Sequence, residues 1–365
     1  MANKLMAILV FFLAMVCSSL NVGSELGVPA VYIFGDSTFD VGTNSFLSYS
    51  SSRADMQFYG IDFPFSKPTG RFSNGYNTAD RIVNFLGYTE SPLPFLYLVQ
   101  NDTQHFKREI LKGVNFASGG SGLQHQTGRR FNRVIPIAEQ IQQFKTVISN
   151  ISVCLNDTRI NKSFFLISVG SNDIFEFFDN LSKSNPSNIT LEVPEFLVNL
   201  MNNYEAHLKS LLNLGARKFG ILSVPPLGCV PILRSNASDG KCLEGLNAIA
   251  RLFHTALGAV LRNLNSEFLN MKYSLANTYD ITCSMIDNPT LFGLQDVKSA
   301  CCGNQTLSGG TPCSPDAEVC ENRNLFLFWD QYHPTDYVAT LAAFSVYSGG
   351  TEYVAPMNFS VLFQE

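Results

Sequence analysis

Short apolar runs alternate along this chain with longer segments whose apolar residues recur every three or four positions. The runs read as buried parallel strands, the spaced segments as amphipathic helices. The first run, Val31-Tyr32-Ile33-Phe34, stops abruptly at Gly35-Asp36-Ser37, as a buried strand does where it gives way to a tight turn. Gly113 to Ala117 reads as a second strand and opens into Ser118-Gly119-Gly120-Ser121-Gly122. Phe164 to Val169 is a third, ending at Gly170-Ser171-Asn172-Asp173. Lys218 to Val224 is a fourth, ended by Pro225-Pro226, and Tyr273 to Tyr279 is a candidate fifth.

The spacing between these strands predicts helices. Asn77 caps one that carries Ala79, Ile82, Val83 and Leu86 and ends at Gly87. Ile137, Ile141, Phe144 and Ile148 mark another; Phe196 to Leu212 forms a long one that stops at Gly215, and Leu246 to Leu264 a further one. Pro334 is expected at the first position of a final helix. This alternation predicts a doubly wound α/β sheet with helices on both faces, in a single domain spanning 25–365. Two segments interrupt the pattern. The polar, irregular stretch from Thr38 to about Asn77 has the length of a functional loop, and the cysteine-rich stretch from Cys283 to Cys320 reads as a stapled insertion.

Composition adds a compartment. Lys4 precedes an apolar run from Leu5 to Val16, then Cys17, Ser18 and Ser19, the three-part pattern of a secretory signal peptide over 1–24, cleaved between Ser19 and Ser24. The run is too short for a comfortable membrane span, and no later stretch is long enough. Of nine cysteines, eight remain beyond the leader: Cys154, Cys229, Cys242, Cys283, Cys301, Cys302, Cys313 and Cys320. Their spacing fits disulfides better than zinc. Cys229 with Cys242 is the favoured pair, and the remaining connectivity is open. Glycosylation sequons stand at Asn101, Asn150, Asn156, Asn161, Asn180, Asn188, Asn236, Asn304 and Asn358, as in a secreted, extracellular glycoprotein. Charged residues make up 15% of the chain, against ~25% in an average protein, so N-linked glycans would supply solubility that charges do not. A formal net charge of −5 with scattered Lys and Arg argues against nucleic acid as a partner.

In open parallel sheets the ligand site lies beyond the carboxyl ends of the strands, and three strands here end in small polar residues. Ser37, at the tip of the first such turn, is a candidate nucleophile. A serine hydroxyl needs a base, an orienter for that base and an oxyanion hole. The Gly-rich turn from Ser118 fits neither a phosphate loop nor a dinucleotide fingerprint; its use would be close backbone approach to a ligand. Of the five histidines, His207 and His254 lie inside amphipathic helices. His105 sits in a polar loop without an acidic partner at useful spacing, and His125 follows the Gly-rich turn. His333 is different: it has an acid, Asp330, three residues ahead in a turn and Pro334 after it, where the carboxylate could accept from one ring nitrogen while the other faces the serine. Aromatic residues beyond the strands, Phe175, Phe177, Phe178 and Trp329, are either contacts for an acyl chain or core.

Six stretches, in order, resemble the plant GDSL esterase/lipase branch of the SGNH hydrolases. They are Phe34-Gly35-Asp36-Ser37 with Asp40-Val41-Gly42; Gly70-Arg71-Phe72-Ser73-Asn74-Gly75; Gly113 through Gly122; Gly170-Ser171-Asn172-Asp173; Leu214-Gly215-Ala216-Arg217-Lys218 through Pro225-Pro226-Leu227-Gly228-Cys229; and Phe328-Trp329-Asp330 with His333-Pro334. The resemblance implies a flavodoxin-like three-layer α/β/α fold with a five-stranded parallel sheet in order 2-1-3-4-5. It implies Ser37 as nucleophile, His333 as general base and then acid, and Asp330 as its orienter. The oxyanion hole would be the backbone N–H groups of Ser37 and Gly120 with the side-chain amide of Asn172. No metal or other cofactor is implied. The one visible departure is Thr38, where the family motif has Leu; the position carries no proton. No Gly-X-Ser-X-Gly elbow is present, against the ordinary α/β-hydrolase fold. The expected activity is hydrolysis of small-molecule, lipid or polysaccharide acyl esters. The rivals are a transacylase that uses the same serine and a catalytically silent binding glycoprotein.

Overall fold

The computed structural model describes residues 29–365 except 103, 152–157, 185–188, 236–238 and 304–311. The leader, Cys154, Asn156, Asn188, Asn236 and Asn304 lie outside the described residues.

Five strands pair in parallel: β1 (Val31–Gly35), β2 (Gly113–Asn115), β3 (Phe164–Ser168), β4 (Lys218–Leu222) and β5 (Lys272–Ala276). Two further strands, β6 (Asp296–Ala300) and β7 (Phe326–Phe328), form a small separate sheet. β8 (Val354–Ala355) adds antiparallel to β5, so the main sheet runs β2-β1-β3-β4-β5-β8. The 2-1-3-4-5 order is the one that the family resemblance implies. The sixth strand is an addition: two residues are too few to carry a period-2 signal.

Side chains alternate across the sheet. Tyr32, Phe34, Phe165, Ile167, Phe219 and Ile221 pack against helices Ile137–Ile151, Ile189–Asn213 and Glu244–Glu267. Val31, Ile33, Phe164 and Leu166 face the other layer, built from Thr78–Phe85, Thr278–Asp287, Asp336–Ser348 and Phe359–Gln364. Asn77 caps the first of these in a capping box with Asp80, as its sequence predicts. The last major helix departs from expectation. Thr335 is its N-cap, accepting from Val338 N–H, so Pro334 lies before the helix and pairs with Phe328 instead.

A third, smaller core fixes the insertion. Cys301–Cys320 and Cys302–Cys313 form disulfides that pack with Trp329, Tyr59 and Phe72. Cys229 is bonded to Cys242. Cys283 lies on Thr278–Asp287, outside this core, and forms no disulfide among the described residues. Among the described residues the disulfides of this stretch join cysteines from Cys301 to Cys320.

Candidate active site

Ser37 occupies a turn at the carboxyl end of β1. The turn is closed by Asp40 N–H and Phe39 N–H donating to the Asp36 carbonyl at 3.0 and 3.2 Å, and Asp36 N–H donates to Ser168 of β3 at 3.1 Å. Only glycine fits before it: at Gly35 φ is +149°, and a Cβ would stand 2.2 Å from the Ser168 carbonyl oxygen. The Gln140 amide grips both the N–H (2.9 Å) and the carbonyl (2.8 Å) of Gly35.

From the opposite end of the chain, His333 reaches Ser37. Its Nε2 lies 2.7 Å from Ser37 Oγ, and its Nδ1 lies 2.9 Å from both carboxylate oxygens of Asp330. Asp330 accepts further from Tyr332 N–H (2.8 Å), His333 N–H (2.7 Å) and the Tyr59 hydroxyl (2.9 Å). Burial works to raise the Asp330 carboxyl, but the facing His333 and these donors outweigh it and hold it below the usual carboxylate range. Burial, then the neighbouring Asp330 charge, keeps the Tyr59 phenol well above its ordinary value, so it stays a donor. The turn itself is pinned by Trp329 N–H donating to the His333 carbonyl at 2.7 Å. Phe72 covers the imidazole with ring centroids 4.9 Å apart.

The Gly-rich turn supplies the facing wall. Gly119 N–H donates to Asp40 Oδ2 at 2.8 Å, so it is committed; Gly120, at φ +83°, lines the same cavity as Ser37 and Asn172. Asn172 stands in the first turn of Ser171–Ser184, and its amide donates to the Ser121 carbonyl at 3.0 Å. Two buried carboxylates hold the loop. Asp40 takes Gly119 from one side; Asp173 takes Leu123 N–H, Gln124 N–H and the Thr127 hydroxyl at 2.9, 3.0 and 2.7 Å from the other. Asp36, Asp40 and Asp173 are each pushed up to about 6, chiefly by burial. The Asp36 charge adds to that rise at Asp173.

These groups open onto one cavity of ≈ 450 Å³. Its lining is buried and apolar at Leu222, Val230, Leu327 and Val338, half-buried at Ala342, Arg53 and Phe131, and exposed at Ser51 and Arg130. Of the aromatic residues singled out in the sequence, only Phe175 lines it. Phe177 stacks on Phe196 at 4.0 Å, Phe178 lines a neighbouring cavity, and Trp329 is buried in the third core. His125 is exposed and away from the cavity, and His207 bonds the Leu123 carbonyl at 2.9 Å. His105 departs from expectation: Asp102, three residues before it, lies 2.6 Å from its Nδ1, as an exposed surface pair. Among the described residues, no three His, Cys, Asp or Glu side chains stand where they could share a metal ion.

A family model described as GDSL-like Lipase/Acylhydrolase matches residues 31–344. The chain belongs to the GDSL-like lipase/acylhydrolase family. GDSL esterase/lipase 6 of Arabidopsis thaliana is 35% identical over 99% of this chain and 98% of its own length. GDSL esterase/lipase At5g55050 of the same plant is 35% identical over 93% and 91%, and GDSL esterase/lipase LTL1 is 34% identical over 91% and 90%. This GDSL protein is thus a hydrolase acting on ester bonds, on the SGNH fold.

Sequence reasoning missed Tyr59, Phe72, Asp40 and Asp173 as parts of the site. Asp40, Phe72 and Asp173 fall inside the quoted motifs, which was the available signal; Tyr59 lies in an irregular loop with no pattern to single it out. Of the sequons, Asn101, Asn161 and Asn180 are exposed, while Asn358 caps Phe359–Gln364 through its own amide oxygen. Among the described residues, no helix is long and apolar enough to cross a membrane.

Proposed function

We propose that this GDSL protein is a secreted serine esterase that works through an acyl-enzyme. The observation that carries the reading is the single hydrogen-bonded line from Ser37 Oγ through His333 to Asp330 at the wall of an apolar cavity. Ser37 Oγ attacks the ester carbonyl as His333 Nε2 takes its proton; Asp330 fixes the imidazole with Nδ1–H toward the carboxylate. The N–H groups of Ser37 and Gly120 and the amide of Asn172 receive the oxyanion. The C–O bond to the alcohol breaks as His333 returns the proton to it, and a water, deprotonated by His333, then frees the acid and Ser37. The acyl chain takes the buried apolar part of the cavity, because only an apolar group gains by entering it. Three disulfides and the exposed sequons support an oxidising, secretory route with N-linked glycans.

The test is hydrolysis of a p-nitrophenyl ester series, from acetate to long chains, by the protein and by Ser37→Ala. Turnover confined to the unmodified protein, together with fluorophosphonate labelling at Ser37, is expected. Turnover that survives Ser37→Ala would refute the nucleophile. Product analysis with competing alcohols separates hydrolysis from transfer, with free acid as the expected main product.

A further inference from the structure

A second cavity of ≈ 400 Å³ adjoins the first, and Arg130, Phe175 and Tyr332 line both. Phe175 and Tyr332 meet edge to face at 5.8 Å, and Tyr332 is joined to the site through its N–H on Asp330. Beyond this divide the wall is mostly apolar, with Phe178, Ile232, Leu233 and Leu243, and its polar side chains there are Asp179 and Ser182. Arg130 is the charge left over. Its guanidinium lies 4.8 Å from the Phe131 ring centroid, and among the described residues no carboxylate pairs with it. The acids nearby are engaged: Asp179 pairs with Lys183 at 2.6 Å, and Glu176 accepts from Gly128 N–H at 3.0 Å.

An arginine held on an aromatic face, between Ser37 and a mostly apolar cavity, suits an oxyanion group attached to an apolar body. We infer that the second cavity binds the alcohol half of the substrate, and that this half carries a carboxylate or phosphate recognised by Arg130. The inference rests on the serine esterase reading, in which the acyl chain fills the buried apolar part of the first cavity and the alcohol half must leave toward Arg130. Arg130 is then a specificity residue. It discriminates charge in the leaving half and takes no part in proton transfer.

The experiment uses matched substrates. The butyrate esters of 4-hydroxybenzoic acid and of its methyl ester differ by one charge, and 4-butyryloxyphenyl phosphate supplies the phosphate arm. Because Arg130 is exposed, one charge pair there changes kcat/KM by about fivefold rather than a hundredfold. The protein should therefore prefer an anionic ester over the neutral one by about that factor, mostly through KM and less so in high salt. Arg130→Gln should erase the preference, lowering kcat/KM for the anionic esters about fivefold more than for the neutral one; Arg130→Lys should restore part of it. The carboxylate and phosphate arms, compared, say which anion is native. Leu233→Trp should lower kcat/KM for all three aryl esters by filling the second cavity.

Equal turnover of charged and neutral esters, or an equal fall for both in Arg130→Gln, overturns the inference and leaves the esterase reading intact. If no ester is turned over and Ser37 resists fluorophosphonate, the esterase reading fails first. Phenyl phosphate affinity by calorimetry then decides this one, and equal binding to the protein and to Arg130→Gln would refute it.

Discussion

Replacing Asp40 by Asn should slow the enzyme without weakening the fold at neutral pH. Asp40 is fully buried, and its carboxylate accepts from Gly42 N–H at 2.7 Å, Thr43 N–H at 2.6 Å and Gly119 N–H at 2.8 Å. Burial still wins over these donors, since the carboxyl is pushed up to about 6 from 3.8. Ionising it in the folded protein therefore costs roughly 3 kcal/mol at 1.36 kcal/mol per pH unit. Asn removes that cost. It also turns one acceptor into a donor. Keeping the bonds to Gly42 and Thr43 points the new NH₂ at Gly119 N–H and loses a charge-assisted bond worth about 1.5–3 kcal/mol. The two terms nearly cancel in stability, but the loss falls on the peptide next to Gly120, the proposed oxyanion donor. A donor displaced by even part of that energy lowers kcat by about ten- to a hundredfold. The assay is steady-state hydrolysis of p-nitrophenyl butyrate at pH 7.5 beside thermal unfolding. A kcat within twofold of the unmodified protein would refute the link between Asp40 and the oxyanion hole. A parallel collapse of Tm and kcat would show Asp40 to be merely structural.

Asn172→Ala should lower kcat by roughly 10²–10³ with little change in KM, as for other oxyanion donors; an unchanged kcat would remove Asn172 from the site. Stability should fall as pH rises from about 4 to above 6. Asp36, Asp40 and Asp173 have raised folded values, so the native state keeps protons there that the unfolded chain releases, and the stability they confer is lost as pH passes about 6. Asp330, held low, acts oppositely and only in more acid solution, its contribution disappearing below about pH 4. Scanning calorimetry should accordingly give a higher Tm at pH 5.5 than at 7.5, and a flat Tm would mean that water reaches these carboxyls. Breaking the staple with Cys301→Ala and Cys320→Ala should abolish turnover while far-UV circular dichroism stays native, since Cys301 N–H and Cys302 N–H hold the Phe328 and Trp329 carbonyls at 3.0 and 2.7 Å just ahead of Asp330. Retained activity would detach the staple from the site.

The strands and the proposed Ser37–His333–Asp330 triad are legible in the sequence because each is a local event. A buried parallel strand needs a continuous apolar run, and Ser37, Gly120 and Asn172 all follow such runs within a few residues. Asp330 and His333 are legible for a different reason, being close enough in sequence to share one turn. What cannot be read is everything set by contacts across the chain. Tyr59 reaches Asp330 over 271 positions from a loop with no periodicity. Asp102 and His105 repeat the spacing of Asp330 and His333, and only the fold separates that exposed pair from the one facing Ser37. The pairing within Cys301–Cys320 cannot be read either, because cysteine counting registers number and order, while each bond is decided by which thiols the fold brings together.

The same distinction explains how the site is built. Ser37 and the Gly-rich loop hang from the sheet, whose hydrogen-bonded register fixes them relative to one another. Asp330 and His333 do not. They sit in a turn between β7 and the helix Asp336–Ser348, attached to the small sheet and to the disulfide core rather than to the main one. The two halves meet through the His333–Ser37 bond and, behind it, through Tyr59 and Phe72, which come from the irregular segment after Ser37. That segment therefore has a mechanical reason for its length. It carries a donor and a ring from the Ser37 side of the molecule across to Asp330 and His333, so that the geometry of the proposed proton transfer depends on packing between two cores and not on either alone.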